Sequence, residues 1–217
     1  MIIKVLISAF GQLLVFLILS FIVYKIHRLF SKHKEGFFEY VGIKPAANQV
    51  DKTYGLILIA VILFAVVSTY IQFNASEEAR GYLTSDSSPY GKILKNEFSI
   101  TSIILGILYC FVQAGASEEV LFRGLIGRRL FNKFGNFKGN LIQAFIFWIM
   151  HLLIFRLMTG NWISWFQVYA FIASFGLGLA AGFVNYRKNG SSIMPSWLLH
   201  SLGNFITFLT LSWLLKF

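Results

Sequence analysis

Cysteine is nearly absent: Cys110 stands alone in 217 residues. One thiol excludes an intrachain disulfide and any multi-cysteine metal site. Proline is scarce as well, with three residues, which excludes Pro-rich linkers. Charge is the most telling shortage. Charged residues make up 13 % of the chain and the acids number nine, whereas soluble domains carry about 25 % charged residues. That shortage excludes a disordered chain and argues against a water-soluble globule. What is abundant is apolar: 57 % of the residues, with a mean hydropathy of +0.69. The composition is that of an integral membrane protein.

The net charge is +10, from 19 Lys and Arg against 9 Asp and Glu. In a membrane protein such residues mark cytoplasmic loops and meet anionic headgroups. No basic motif of a DNA or RNA module is present, so the expected partner is the lipid bilayer and not nucleic acid.

Six stretches offer the about 20 mostly apolar residues that a spanning helix needs: 5–24, 54–73, 98–125, 140–158, 162–184 and 197–215. The expected fold class is all-α, a polytopic membrane helix bundle of about six spans. It reads as one integral domain. Residues 1–97 supply two N-terminal spans, a basic segment and an outer loop, and residues 98–217 supply the remaining helices. The first run reads as a retained anchor. Its basic cluster follows the apolar stretch, and no small-x-small cleavage site closes Phe21-Ile22-Val23-Tyr24. With the N-terminus outside, the inner segments hold twelve Lys and Arg, including Lys25, Arg28, Lys32, Lys34, Arg128, Arg129, Arg187 and Lys188. The outer segments hold six. That bias predicts both termini outside, in a cell membrane. Residues 25–53 are expected to lie along the cytoplasmic headgroups, and 74–97 to form a solvated outer loop.

Ionisable residues within spans are costly, at about 2.5–3.5 kcal/mol per charge at a helix centre. They persist when they pair or do work. Two of the nine acids fall inside a span, and they are adjacent: Glu118 and Glu119. His151, His200, Arg123 and Asn204 complete the buried polar set. Glu119 and Arg123 are four apart and can form an ion pair. Glu118 lies about 100° further round the helix and is free to point elsewhere. His200 and Asn204 share a face by the same spacing, as do Phe147 and His151. Rise per residue puts Glu118 roughly 10–14 Å, His151 roughly 15–17 Å, and His200 with Asn204 roughly 6–12 Å from the cytoplasmic ends of their spans. All three elements converge on one half of the membrane.

A buried carboxylate beside a histidine can activate water, with Glu118 as base and His151 sharing or orienting the water. His200 and the Asn204 amide can donate to an oxyanion. Glu119 and Arg123 then form a structural ion pair. The set describes peptide-bond hydrolysis inside the membrane. The same two histidines and carboxylate could instead hold zinc with an open position, although the His-Glu-x-x-His spacing is absent. No cofactor and zinc are both left open.

Glu118-Glu119-Val120-Leu121-Phe122-Arg123 resembles the EExxxR motif of the CAAX protease and bacteriocin-processing (CPBP, or Abi) family of intramembrane endopeptidases. Phe147 to His151 is similar to its FxxxH motif, and His200 to Asn204 to its HxxxN motif. The three stand in the family order on three spans, and the resemblance covers about residues 98–208. It implies an all-helical membrane peptidase with a cavity open to cytoplasm and lipid. It implies that Glu118 and His151 activate water and that His200 and Asn204 stabilise the oxyanion. Members are described both as metalloproteases and as metal-independent glutamate enzymes. Implied substrates are apolar or lipidated peptides: prenylated CAAX proteins, peptide pheromones or bacteriocin precursors. Bacteriocin immunity is a further implied role.

Blander readings stand beside these. Glu118 and Glu119 could sit at an interface. His151 could be a core histidine, and His200 and Asn204 could supply interhelical hydrogen bonds. A non-catalytic immunity or scaffold protein of the same fold is the main alternative to a protease. A small transporter is a third, disfavoured by the lack of a repeat pair. Gly176, Gly178 and Gly182 with Ala173, Ala180 and Ala181 read as a close-packing face, and Cys110 as inert. Trp148, Trp162, Trp165, Trp197 and Trp213 include interfacial anchors.

Overall fold

Backbone amides in hydrocarbon have no water to bond, so a chain this apolar must satisfy them within helices. The computed structural model describes residues 2–31, 35–46, 51–95, 98–160 and 165–216, and no strand occurs among them. Lys32, Lys34, Trp162 and the start of the fifth expected span lie outside the described residues, as do the side chains of Trp165, Arg187 and Lys188.

Helix α1 (Ile2–Phe30) and the single turn α2 (Phe37–Tyr40) precede α3 (Lys52–Ala75). Asp51 starts α3 by accepting the Tyr54 amide at 2.9 Å, which satisfies one of the free donors of the first turn. The expected outer loop contains two short helices, α4 (Glu77–Thr84) and α5 (Pro89–Leu94), each capped by a serine. A reciprocal Ser99–Ser102 capping box opens α6 (Ile100–Ile107). From there the chain widens into two π-wound segments, Leu108–Ala116 and Glu119–Gly127, before α7 (Arg128–Thr159). α7 is broken at Gly135, whose backbone is non-helical (φ 76°, ψ 175°). The break lets 136–159 return along the π-wound stretch, with the Phe122 and Phe147 rings 5.0 Å apart. Gly160 ends α7 in the left-handed region. α8 (Trp165–Gly182), a π-wound turn (Phe183–Lys188) and α9 (Met194–Leu214) complete the chain.

Among the described residues, four helical stretches are long and apolar enough to cross a membrane: Ile2–Phe30, Lys52–Ala75, Ile100–Leu157 and Phe166–Tyr186. This is a membrane protein. The difference from about six has a physical origin. The third stretch holds both expected spans, 98–125 and 140–158, joined across the Gly135 break. α9 is long enough, but His200, Asn204 and its serines dilute its apolar character.

α1 packs against the first π-wound segment, α3 against α9, and α7 against α8. The α7–α8 contact is close because Gly178 faces Ala144; an added Cβ there would lie 2.9 Å from the Ala144 Cα. Gly176 meets nothing comparable, so the expected close-packing face narrows to part of its glycines. One core cluster joins Leu83, Ile93, Leu105, Cys110, Phe208 and Leu211. The segment expected to lie along the headgroups differs in part: Tyr40, Val41 and Gly42 are buried, because they dock on the helix carrying the paired glutamates.

Candidate active site

Two adjacent glutamates face different surroundings. The Glu119 side chain is fully buried, whereas Glu118 keeps 18 % of its surface exposed. Glu119 is held from three sides. Arg123 Nη1 lies 3.4 Å from Oε1, His200 Nδ1 lies 3.0 Å from the same oxygen, and the Ser196 hydroxyl donates to Oε2. Opposite charges and donors are what a carboxylate removed from water requires. Arg123 is also fully buried, and its guanidinium carbon sits 4.0 Å from the centre of the Phe147 ring. None of its three nitrogens is in hydrogen-bond geometry with a described residue. The ion pair and the aromatic face therefore carry its charge.

Glu118 turns toward the two histidines. Its Oε2 lies 3.7 Å from His151 Nε2 and 4.0 Å from His200 Nε2. That oxygen is buried and has no hydrogen-bond partner among the described residues. His151 Nδ1 lies 2.8 Å from the Phe147 carbonyl. A carbonyl only accepts, so Nδ1 carries a proton and Nε2 is the end presented to Glu118. His200 is oriented in the same way by Glu119. Phe147 stands between the imidazoles, its ring centre 4.3 Å from that of His151 and 5.8 Å from that of His200.

Asn204 follows His200 by one turn of α9 and is partly buried. Its backbone carbonyl accepts from the Tyr90 hydroxyl at 3.3 Å. Burial raises Tyr90, which lies outside the spans, well above its ordinary value, so it remains a neutral donor. The Asn204 amide makes no hydrogen bond to a described residue.

The π-wound geometry underlies this placement. Wider turns are rare and frequently lie at functional sites. Side chains from other elements hold their carbonyls. Trp197 Nε1 donates to Phe111 O at 2.8 Å, Gln12 Nε2 to Gln113 O at 3.0 Å, and the Tyr186 hydroxyl to Arg123 O.

Residues 99–206 match the Rce1-like family model, described as type II CAAX prenyl endopeptidase. Through this segment the chain belongs to the Rce1-like CAAX endopeptidase family. The match runs from the start of α6 into α9 and contains all six of the charged, histidine and asparagine positions singled out above. It supports a CAAX-type intramembrane protease. Comparisons with curated proteins and with solved structures found no match.

Sequence reasoning paired Glu119 with Arg123 alone. In this Rce1-like chain Glu119 also contacts His200 and Ser196. Asn185 in turn donates to Ser196 Oγ at 2.6 Å and accepts the Ser196 amide at 3.2 Å. Ser196 sits four residues before His200, so helical spacing was the signal that could have exposed it. Asn185 was an unexplained amide in an apolar run. A metal fits less well than those spacings invited. Among the described residues, no three His, Cys, Asp or Glu side chains are grouped to hold a metal ion.

Proposed function

We propose that the protein is an intramembrane endopeptidase in which Glu118 is the general base. The observation that carries this reading is the position of Glu118 Oε2 between the Nε2 atoms of His151 and His200, at 3.7 and 4.0 Å. Polar contacts of that length are too long for direct hydrogen bonds and suit one bridging water. Glu118 takes a proton from that water, with His151 Nε2 accepting from its second hydrogen. The hydroxide adds to the scissile carbonyl carbon. The oxyanion is met by the Asn204 amide and by protonated His200, which Glu119 holds in place. Protonated Glu118 gives its proton to the leaving nitrogen as the C–N bond breaks. Arg123 balances the second carboxylate throughout.

The substrate class is a peptide with an adjoining apolar or prenyl-modified segment that partitions into the bilayer. The family description and the partly exposed Glu118 within an apolar bundle support it. The basic bias of the inner loops supports cleavage on the cytoplasmic side, with both termini outside.

The test is cleavage of a fluorogenic peptide ending in a farnesylated Cys-aliphatic-aliphatic-X motif, with full-length protein in liposomes. Wild type is expected to cleave with or without a strong chelator, while His151→Ala slows turnover by about 10²-fold or more. Cleavage that survives in both His151→Ala and Glu118→Gln would sink the mechanism. A cellular phenotype that survives Glu118→Gln would point to the scaffold reading instead.

A further inference from the structure

Glu118 and His200 belong to different elements, so their separation needs a brace. One direct tie is Ser196 to Glu119. A second path runs outside the segment matched to the family, through residues 40–44. Arg129 Nη1 donates to Gly124 O at 2.7 Å and Leu125 O at 3.0 Å, at the end of the helix bearing Glu118. The same guanidinium reaches Tyr40 O at 3.2 and 3.3 Å and lies 3.4 Å from the Tyr40 ring centre. Two residues on, Gly42 O accepts the Ile193 amide at 3.0 Å. Lys44 O accepts the Ser192 hydroxyl at 2.6 Å. Ile193 is the residue before α9, which carries Ser196 and His200.

The fit of this segment is tight at two glycines. Gly42 has φ +73°, and a Cβ on it would lie 2.6 Å from Ser191 O. A Cβ on Gly124 would lie 2.2 Å from Val41 O. Val41 itself is fully buried. Neither position accepts a side chain without moving one half of the clasp against the other.

We propose that residues 40–44, gripped by Arg129, are a positioning clasp that fixes the Glu118 helix against the His200 helix. Arg129 is its principal positioning residue. The inference rests on the reading of Glu118 and His200 as partners in hydrolysis. The clasp touches no substrate. It acts by holding two halves of the site within the fraction of an ångström that catalysis requires.

The experiment uses the full chain in liposomes and two readouts. The first is amide hydrogen exchange, which needs no substrate. Arg129→Ala is expected to speed exchange together in 119–127 and 193–200, with α3 unchanged. Gly42→Ala, whose change lies at the other end of the clasp, is expected to do the same. Faster exchange confined to the altered end overturns the proposal. The second readout is kinetic, on the farnesylated peptide. Arg129→Ala is expected to lower kcat about tenfold or more with KM within about twofold, and added guanidinium ion is expected to restore part of kcat. Should Arg129→Ala fail to fold, Arg129→Lys and Gly42→Ala carry the same test. Wild-type kcat in these variants beside an inactive Glu118→Gln removes the clasp and leaves the mechanism standing. An active Glu118→Gln removes the mechanism, while the exchange result still decides the clasp.

Discussion

α1 and the Ile100–Leu157 stretch are both long and apolar enough to cross a membrane, yet they are built on opposite plans. In the most apolar part of α1, 11 % of the residues are buried; in the most apolar part of the other stretch 39 % are. α1 shows Ile7, Phe10, Leu14, Val15 and Ile18 to the outside, and its few buried residues are small or polar, such as Ala9 and Ser20. The other stretch departs from α-helical winding and buries Glu119 and Arg123 completely. Lipid solvates an apolar side chain about as well as protein does, so α1 gains little from sequence-specific packing. Charges gain everything from it, because their alternative is hydrocarbon. Specificity in this bundle is concentrated where polar groups are buried.

The sharpest test of that contrast is Glu118→Gln. It should lower cleavage of the farnesylated peptide by about 10³-fold while the thermal unfolding midpoint stays near that of wild type, since the swap keeps shape and removes charge. Arg123→Leu should do the reverse and act first on stability. It strands Glu119 in a buried position and should cost about 3–5 kcal/mol in reversible detergent unfolding. A loss under about 1 kcal/mol would mean that His200 and Ser196 hold Glu119 unaided. Ser196→Ala removes one donor to Glu119 and the partner of the Asn185 amide. It should cost about 1–3 kcal/mol in the same unfolding measurement. Leu14→Ala on the lipid-facing side of α1 should change stability by about 0.5 kcal/mol or less. A larger change there would break the comparison and show α1 to be packed more specifically than its exposure implies.

Much of this was legible before any coordinates. Two of the apolar runs of spanning length fall inside α1 and α3 and a third covers α8, and ionisable residues within the expected spans are rare enough for Glu118, Glu119, His151 and His200 to stand out. Their convergence follows from loop charge and rise per residue. What was not legible has a common cause. The spacing argument assumed 3.6 residues per turn, and the stretch bearing both glutamates is π-wound. No local pattern in Leu108–Ala116 announces that winding, because its carbonyls are satisfied by Gln12 and Trp197 from distant helices. The docking of Tyr40–Gly42 escaped for a similar reason. A basic segment reads as lying along the headgroups until Arg129 and Gly124 are brought beneath it. Ser196 was hidden by its ordinary chemistry, since a hydroxyl gains meaning only when a buried carboxylate faces it.

The π-wound stretch also bears on how such a protein can be silenced. A π turn holds one residue more than the α turn it replaces. Deleting a single residue from Leu108–Ala116 lets the backbone relax to the tighter winding and keep its phase, whereas deleting one from the regular α6 would swing everything beyond it by about 100°. Glu118 would then leave the imidazoles although all three motifs remained in the sequence. An inventory of motif residues would score such a chain as intact. Its inactivity would lie in a register shift upstream of every residue that does chemistry.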